Sequence, residues 1–489
     1  MSRVHPLMIL PLHAARVSGF PVGSASTEHV RIPEEELMTT ISTTTEKDAL
    51  HARATRKVML RLLPVMFGVY FMSYIDRTNV ALAKTHLAAD VGIGAAAFGF
   101  GAGIFFISYA FLEIPSNLLM YRVGPRRWIA RIAVTWGALS ALMMFVQGEI
   151  SFYVMRFLLG AAEAGLYPAL MYMVTLWFAQ RHRATAIGLI YLAPTTALIV
   201  GSPLGGGLME LDDLLGLHGW QWMFLIEGLI TILVGVLVWF KLPSVPSEAR
   251  WLTREEADVL TEHAVGDDPH TESRIRGNVK KAFGRPFVVV VALIYFFNQI
   301  TNVGIVFNIP SIVESLGIEG SFLIGLVSGS AGIGATIGVL LVPRIFRHHP
   351  HREATAVGLL AAATTVVAVG YALSTSPVVR ILLITIAMIF VFGTLPLFWS
   401  IAMARMSGLM AAAGLAFINT VGLIGGFVGP YLFGIVEDAT GNPSGGFYVV
   451  IASSVVGVLL APVLARTIRS EDAHATPAVR PAPAPAPEA

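Results

Sequence analysis

The stretch VMLRLLPVMFGVYFMSYIDRTNVALAK, residues 58–84, decides how the chain is read. It is long enough to cross a bilayer as a helix, which takes about 20 mainly apolar residues. It nevertheless carries an acid and a base side by side, Asp76 and Arg77, far from either end. An ionised side chain at the bilayer centre costs about 2.5–3.5 kcal/mol on insertion scales, so charges kept there call for a functional reason.

Comparable apolar stretches follow at 97–120, 128–147, 150–178, 183–207 and 221–241. After a polar interval they resume at 286–314, 321–345, 353–373, 377–402, 408–436 and 446–467. Composition agrees: 55% of the 489 residues are hydrophobic and only 13% charged, against about 25% charged in soluble domains. So few charges could not cover a water-exposed surface. The expected fold is an all-α integral membrane protein of about twelve transmembrane helices in two pseudo-symmetric six-helix bundles.

The expected organisation is a disordered N-terminal segment at 1–57, a first bundle at 58–241, a central loop at 242–285, a second bundle at 286–468 and a disordered Pro/Ala-rich tail at 469–489. Residues 1–37 match no signal peptide, and Met38 is the expected native start. In the central loop, Thr253-Arg-Glu-Glu256 fits a capping box opening a short amphipathic helix. The glycine- and proline-rich segments GSPLGGG (201–207) and GGFVGPYLFG (425–434) echo each other between the halves, as repeat-built transporters do.

Arg56, Lys57, Arg61, Arg122, Arg126, Arg127, Arg181, Arg183, Arg344, Arg347, Arg352, Arg466 and Arg469 lie on one set of span ends. Asp90, Glu149, Glu210, Asp212, Asp213, Glu437 and Asp438 lie on the other. The positive-inside rule places both termini in the cytoplasm of a bacterial-type inner membrane. A net charge of +2 gives no reason to expect nucleic-acid binding. The chain has no cysteine, which removes thiol chemistry, and no metal or cofactor is expected. His348, His349 and His351 sit beside arginines and read as a basic loop.

The fourth span repeats the anomaly of the first, with Arg156 and Glu163 about two turns apart on one face. Asp76 and Arg77 fall at a depth between them. Adjoining spans would therefore form a balanced cluster of two acids and two bases. Such a cluster could simply lock two helices, yet apolar packing does that as well or better. Arginine stays protonated and grips a carboxylate bidentately, whereas a carboxyl group can titrate. An organic anion on arginine would make the site net negative and favour proton uptake on Asp76 or Glu163. Protonation would then tighten anion binding by the same factor.

The segments YFMSYIDRTNVALA (70–83), EIPSNLLMYRVGPRRWIARI (113–132), RFLLGAAEAGLYPALMYMVTLWF (156–178), GLHGWQWMFLIEG (216–228), PSEARWLTREEADVL (246–260) and LAFINTVGLIGGFVGPYLFG (415–434) resemble the major facilitator superfamily. Within it they are most similar to anion:cation symporters, in the tartrate, phthalate and hydroxyphenylacetate permease branch. The resemblance runs from Lys57 to Arg469. It implies a non-enzymatic, monomeric secondary transporter with a central site open to alternate sides of the membrane, coupling a small organic anion to a cation, H⁺ in bacterial members. It also implies that Asp76 and Glu163 couple the proton and that Arg77, Arg156, Tyr74, Tyr109, Trp399 and Asn419 meet the anion.

Two departures stand out. The loop signature G-x₃-[DE]-[RK]-x-G-x-R-R appears as NLLMYRVGPRR (117–127), with Asn117 for glycine and Tyr121 for the acid that joins a gating network. Pro396 and Phe398 stand where sugar-acid carriers have hydroxyls, which argues for a smaller or aromatic carboxylate. In the seventh span Tyr295, Asn298 and Asn302 share a face; Asn298 and Asn302 are candidate substrate ligands, with helix–helix glue as the alternative. Glu113 beside Pro115 reads as a structural hydrogen-bond partner, and Asn79 as glue. Competing readings are an organophosphate antiporter, disfavoured because Arg285 precedes its span, a drug or metabolite exporter, and a non-transporting nutrient sensor.

Overall fold

Twelve helices long and apolar enough to cross a membrane follow one another along the described residues. They are α1 (Glu46–Leu82), α2 (Ala95–Val123), α3 (Pro125–Phe145), α4 (Glu149–Trp177), α5 (Gln180–Met209), α6 (Gly219–Lys241), α7 (Pro286–Ser315), α8 (Ser321–Phe346), α9 (Glu353–Leu373), α10 (Pro377–Ala404), α11 (Gly414–Thr440) and α12 (Pro443–Asp472). The computed structural model describes residues 34–265, 284–346, 352–406 and 408–475, and holds no strand among them. His348, His349 and His351 lie outside the described residues.

Two expectations of disorder are corrected. Residues 34–57 belong to a helix, Glu34–Arg61, that leads into the first span. Residues 469–475 continue the last helix, which ends at Ala475. Both stretches are free of proline, so nothing in them stops a neighbouring helix from continuing. In the central loop the capping box forms as read. Thr253 N–H donates to Glu256 Oε2 at 3.0 Å and Glu256 N–H to Thr253 Oγ1 at 3.2 Å, opening the helix Arg254–Val265.

Packing within the first six spans is closest between α3 and α6 and between α2 and α4, and within the last six between α7 and α11, α8 and α10, and α9 and α12. The two sets meet along α2 with α11 and α5 with α8. Glycines let the backbones touch there: a Cβ on Gly99 would lie 2.2 Å from Pro430 O, and one on Gly206 2.2 Å from Ser321 O. In a membrane, where lipid is as apolar as leucine, close backbone approach of this kind is what holds helices together.

These seams are reinforced at the acidic-loop end. Lys84, nearly fully buried, pairs with Glu437 and donates to Asn308 Oδ1 at 2.6 Å. Ala96 N–H donates to Asp438 Oδ2 at 3.0 Å and Phe322 N–H to Glu210 Oε1 at 3.2 Å. The halves are thus fastened together at that end of the molecule.

Candidate substrate and coupling site

Two of the spans that supply charge are not regular helices. The fourth breaks after Glu163, and Gly165 at φ +87° starts a second helical piece at Leu166. A left-handed residue in mid-span is tolerable for glycine, which has no Cβ to clash. The break frees the Ala164 carbonyl, and Ser116 Oγ of α2 donates to it at 2.6 Å. Trp128 Nε1 holds Ser116 in turn at 3.0 Å. A carboxylate therefore sits at the end of a half-helix, the arrangement by which transporters build ion sites at membrane depth. The fifth span carries a π-helical turn, Ala197–Gly201, a feature concentrated at functional sites.

Asp76, Arg77, Arg156 and Glu163 are brought together. Arg77 Nη2 donates to Glu163 Oε1 at 2.5 Å, and Ser73 Oγ donates to the same oxygen at 2.7 Å. Asp76 Oδ1 accepts from Ser140 of α3. The guanidinium groups of Arg77 and Arg156 both lie over the Phe105 ring, 5.1 and 4.8 Å from its centroid, so one aromatic quadrupole faces both cations. Arg156 is 0% exposed; its Nη2 reaches only the Ala102 carbonyl, at a long 3.4 Å.

What is left over defines the chemistry. Nε and Nη1 of Arg156, Nε of Arg77, Oδ2 of Asp76 and Oε2 of Glu163 are buried with no hydrogen-bond partner. A buried cation with unpartnered N–H groups suits a carboxylate, with which it forms a charge-assisted hydrogen bond. The unused carboxylate oxygens are places for a proton.

Tyr74 lies against this centre, with Arg77 4.7 Å from its ring centroid. Tyr109, buried, packs near Phe105 at 6.1 Å. Across from them Tyr295 stacks on Phe398 at 4.8 Å and meets Trp399 edge-on at 5.4 Å; it interacts electrostatically with Tyr74 and Arg77. The other expected residues are engaged elsewhere. Asn419 donates to Glu113 Oε2 at 3.1 Å, tying α11 to α2. Asn302 reaches Gln299 at 3.4 Å. Asn298 donates to Val391 O at 3.3 Å and lines a small separate cavity with Thr301, Thr364, Thr394 and Ser453, within the last six spans. Asn298, read as a substrate ligand or as helix–helix glue, here bonds the α10 main chain.

Three tyrosines and one acid escaped the sequence reading. Tyr70 packs on Tyr74 and Tyr167 at 5.2 and 5.7 Å, and Tyr167 and Tyr191 share a hydrogen bond of 2.9 Å. Glu227 of α6 is a buried acid beside Asp76, so the cluster is not balanced: it holds three acids against two bases. Its position inside an apolar span was the available signal. In the last turn of α2, Tyr121 packs edge-on against Tyr172 at 4.7 Å.

The description "Major Facilitator Superfamily" matches residues 66–430. A "Putative tartrate transporter" of Agrobacterium vitis is 38% identical over 420 residues, covering 86% of this chain and 92% of the relative. A "Quinolone resistance transporter" of Acinetobacter baumannii is 35% identical, covering 85% and 94%. Among solved structures, the bacterial homologue of the human lysosomal transporter Spinster, inward-facing and unoccupied, superposes with a TM-score of 0.66 at 18% identity, covering 88% of this chain and 99% of that one.

Proposed function

The chain belongs to the Major Facilitator Superfamily, and from that premise we propose that it takes up a small carboxylate anion together with a proton by alternating access. It is a multi-pass membrane transporter; the anion, the proton and the direction are our reading. The observation that carries it is Arg156, fully buried with two guanidinium N–H groups unpartnered, beside two carboxylates that each keep an unused oxygen.

The cycle follows from charge. A carboxylate binds Arg156 through its unpartnered Nη1, while Arg77 stays on Glu163. The added negative charge is offset by a proton on Asp76 or Glu163. Loss of the Arg77–Glu163 bond on protonation loosens α1 from α4 and frees the halves to rock. Linkage makes the effect reciprocal: a protonated site holds the anion more tightly. The aromatic wall of Tyr295, Phe398 and Trp399 supplies apolar contact in place of hydroxyls. This supports a compact carboxylate, and the tartrate-transporter relatives make tartrate the first substrate to try. Tyr74, Tyr109, Asn302 and Asn419 complete the anion's surroundings once the halves move.

The positive-inside rule puts the termini in the cytoplasm of a bacterial inner membrane and the Lys84–Glu437 end outside. The described state is then sealed outward, and a monomer suffices because one chain carries the whole site. The quinolone-resistance relative favours one second reading, an exporter. Full-length protein in liposomes, given labelled tartrate with and without an imposed pH gradient, separates them. Accumulation on an inward proton gradient supports symport; indifference to the gradient removes the proton, and gradient-driven efflux of substrate supports export.

A further inference from the structure

Glu227 has no task in the cycle just described, although it occupies one of the most protected places in the protein. It is 6% exposed, and its Oε2 has no hydrogen-bond partner. Helices α3 and α6 meet main chain to main chain beside it. A Cβ on Gly228 would lie 2.4 Å from Ala141 N, and one on Gly137 would lie 2.8 Å from Gly228 O. This contact fixes Glu227, the neighbour of Gly228, at the level of Ser140, the neighbour of Ala141. Ser140 donates to Asp76 Oδ1, and Asp76 interacts electrostatically with Glu227.

Several buried polar groups around this contact have no partner. Asp76 Oδ2, Asn79 Oδ1 and Glu227 Oε2 are buried acceptors without partners, and Trp136 Nε1 is the unpartnered donor on the facing helix α3. The Thr231 hydroxyl is spent on the Glu227 carbonyl at 2.8 Å. The charged group facing Glu227 is Asp76 of α1; Asp76 in turn interacts with Arg156 and Glu163 of α4 and with Arg77, and Arg77 is committed to Glu163. Among the described residues α3 offers Ser140 and Trp136 here, and α5 packs Gly205 against Asn79 and Met223. Two ionised carboxylates in such a compartment repel and cannot donate. One proton between them removes a like charge and gives one carboxyl an O–H to donate.

We infer that Glu227 is a proton-handling residue that holds the coupling proton jointly with Asp76 across the α1–α6 interface. The inference rests on the proton-symport reading above. The proton leaves water through Asp76 and forms an O–H bond on one carboxyl while the other accepts the hydrogen bond. On anion release the O–H bond breaks and the proton returns to water by the same route; no electron changes hands. Glu227 does not touch the anion, so it sets coupling and not anion contact.

The test uses the full-length chain in liposomes, read by infrared spectroscopy of the carboxylic-acid C=O stretch during a pH titration and by labelled tartrate transport. In the wild type one shared proton gives a single titrating band. Glu227→Gln moves the titration of the remaining Asp76 band, and Asp76→Asn moves that of Glu227. Glu227→Gln keeps tartrate counterflow, loses accumulation on a pH gradient, and Glu227→Asp restores part of it. Separate bands that ignore the partner's substitution overturn the inference, as does full gradient-driven accumulation by Glu227→Gln. Should wild type ignore the gradient, the symport reading falls, and the infrared titration still decides the shared proton. Should Glu227→Gln fail to fold, Asp76→Asn decides alone: a shifted Glu227 band supports the pair and an unmoved band overturns it.

Discussion

Arg77 donates to Glu163 at 2.5 Å across 86 residues of sequence, joining the first span to the last helical residue before the break in the fourth. The bond ties two helices at membrane depth. A charge-assisted bond of this type is roughly twice as strong as a neutral one, so it suits a latch that only a proton releases.

Glu163→Gln removes the charge, keeps the shape, and tests the coupling role proposed for Glu163. The expected outcome is tartrate counterflow that persists while accumulation on a pH gradient is lost. Paired counterflow and gradient assays on the same liposomes check it. Normal accumulation by the variant would move the coupling role away from Glu163.

Arg156→Lys keeps the charge and discards the fork. A lysine ammonium is a point charge without the planar pair of N–H groups that a carboxylate matches. Losing one charge-assisted bond of about 1.5–3 kcal/mol predicts weaker tartrate binding on the order of 10- to 100-fold. Isothermal titration of the purified protein reads this directly, and near-native affinity would place the anion elsewhere.

How much of this was legible beforehand depends on whether the information is local. Span length and apolarity are local, so all twelve helices could be read from the chain. Asp76, Arg77, Arg156 and Glu163 were legible because charge inside an apolar span is conspicuous wherever its partner lies. Glu227 carried the same signal and was overlooked amid the otherwise apolar α6. The engagement of Asn419 by Glu113 and of Lys84 by Glu437, 306 and 353 residues apart, was not legible, because pairing between halves depends on how the bundles meet. Asn298 shows the same limit: periodicity defines a helix face, and the neighbour of that face is set by packing.

Gly165→Ala tests whether the break in the fourth span is needed. Its φ of +87° costs an L-residue about 1–2 kcal/mol, and the new Cβ would lie 2.4 Å from Ser116 Oγ. Moving Ser116 gives up its bond to the Ala164 carbonyl, worth about 1 kcal/mol. Lower thermal stability in detergent together with impaired transport is expected. An unchanged melting curve would mean the half-helix joint is more adaptable than its geometry implies.

Glu256 gives the central loop a pH dependence. Burial alone would raise its carboxyl, but the Lys57 ammonium at 2.7 Å and the Thr253 N–H outweigh that and hold it below its ordinary value of 4.5. A carboxylate lowered by folding stabilises the folded form fully above its ordinary value and loses that contribution as pH falls through the lowered one. The hydrogen-exchange protection factor at Arg254–Val265, with the intrinsic pH dependence divided out, should therefore be flat near neutrality and fall only in acid below about 4.5. Glu256→Gln should show low protection at every pH, since it removes the anion that Lys57 holds.

Lys84→Met tests the fastening at the acidic-loop end. Lys84 is 4% exposed at its side chain and pairs with Glu437 of the other half, with Asn308 accepting a further bond at 2.6 Å. Removing one partner of a buried pair is destabilising by about 3–5 kcal/mol, because the other charge is left uncompensated. Only the state closed at this end makes the pair, so its loss shifts the population toward the state open there. A chain without cysteine allows a direct readout from a single cysteine at Ala96, beside the Asp438 contact. Thiol labelling from the Lys84 side should accelerate in Lys84→Met, and in Lys84→Met/Glu437→Leu it should fall back part of the way, since the stranded charge is gone. Labelling that is equally slow in all three would show that the glycine seams alone keep this end shut.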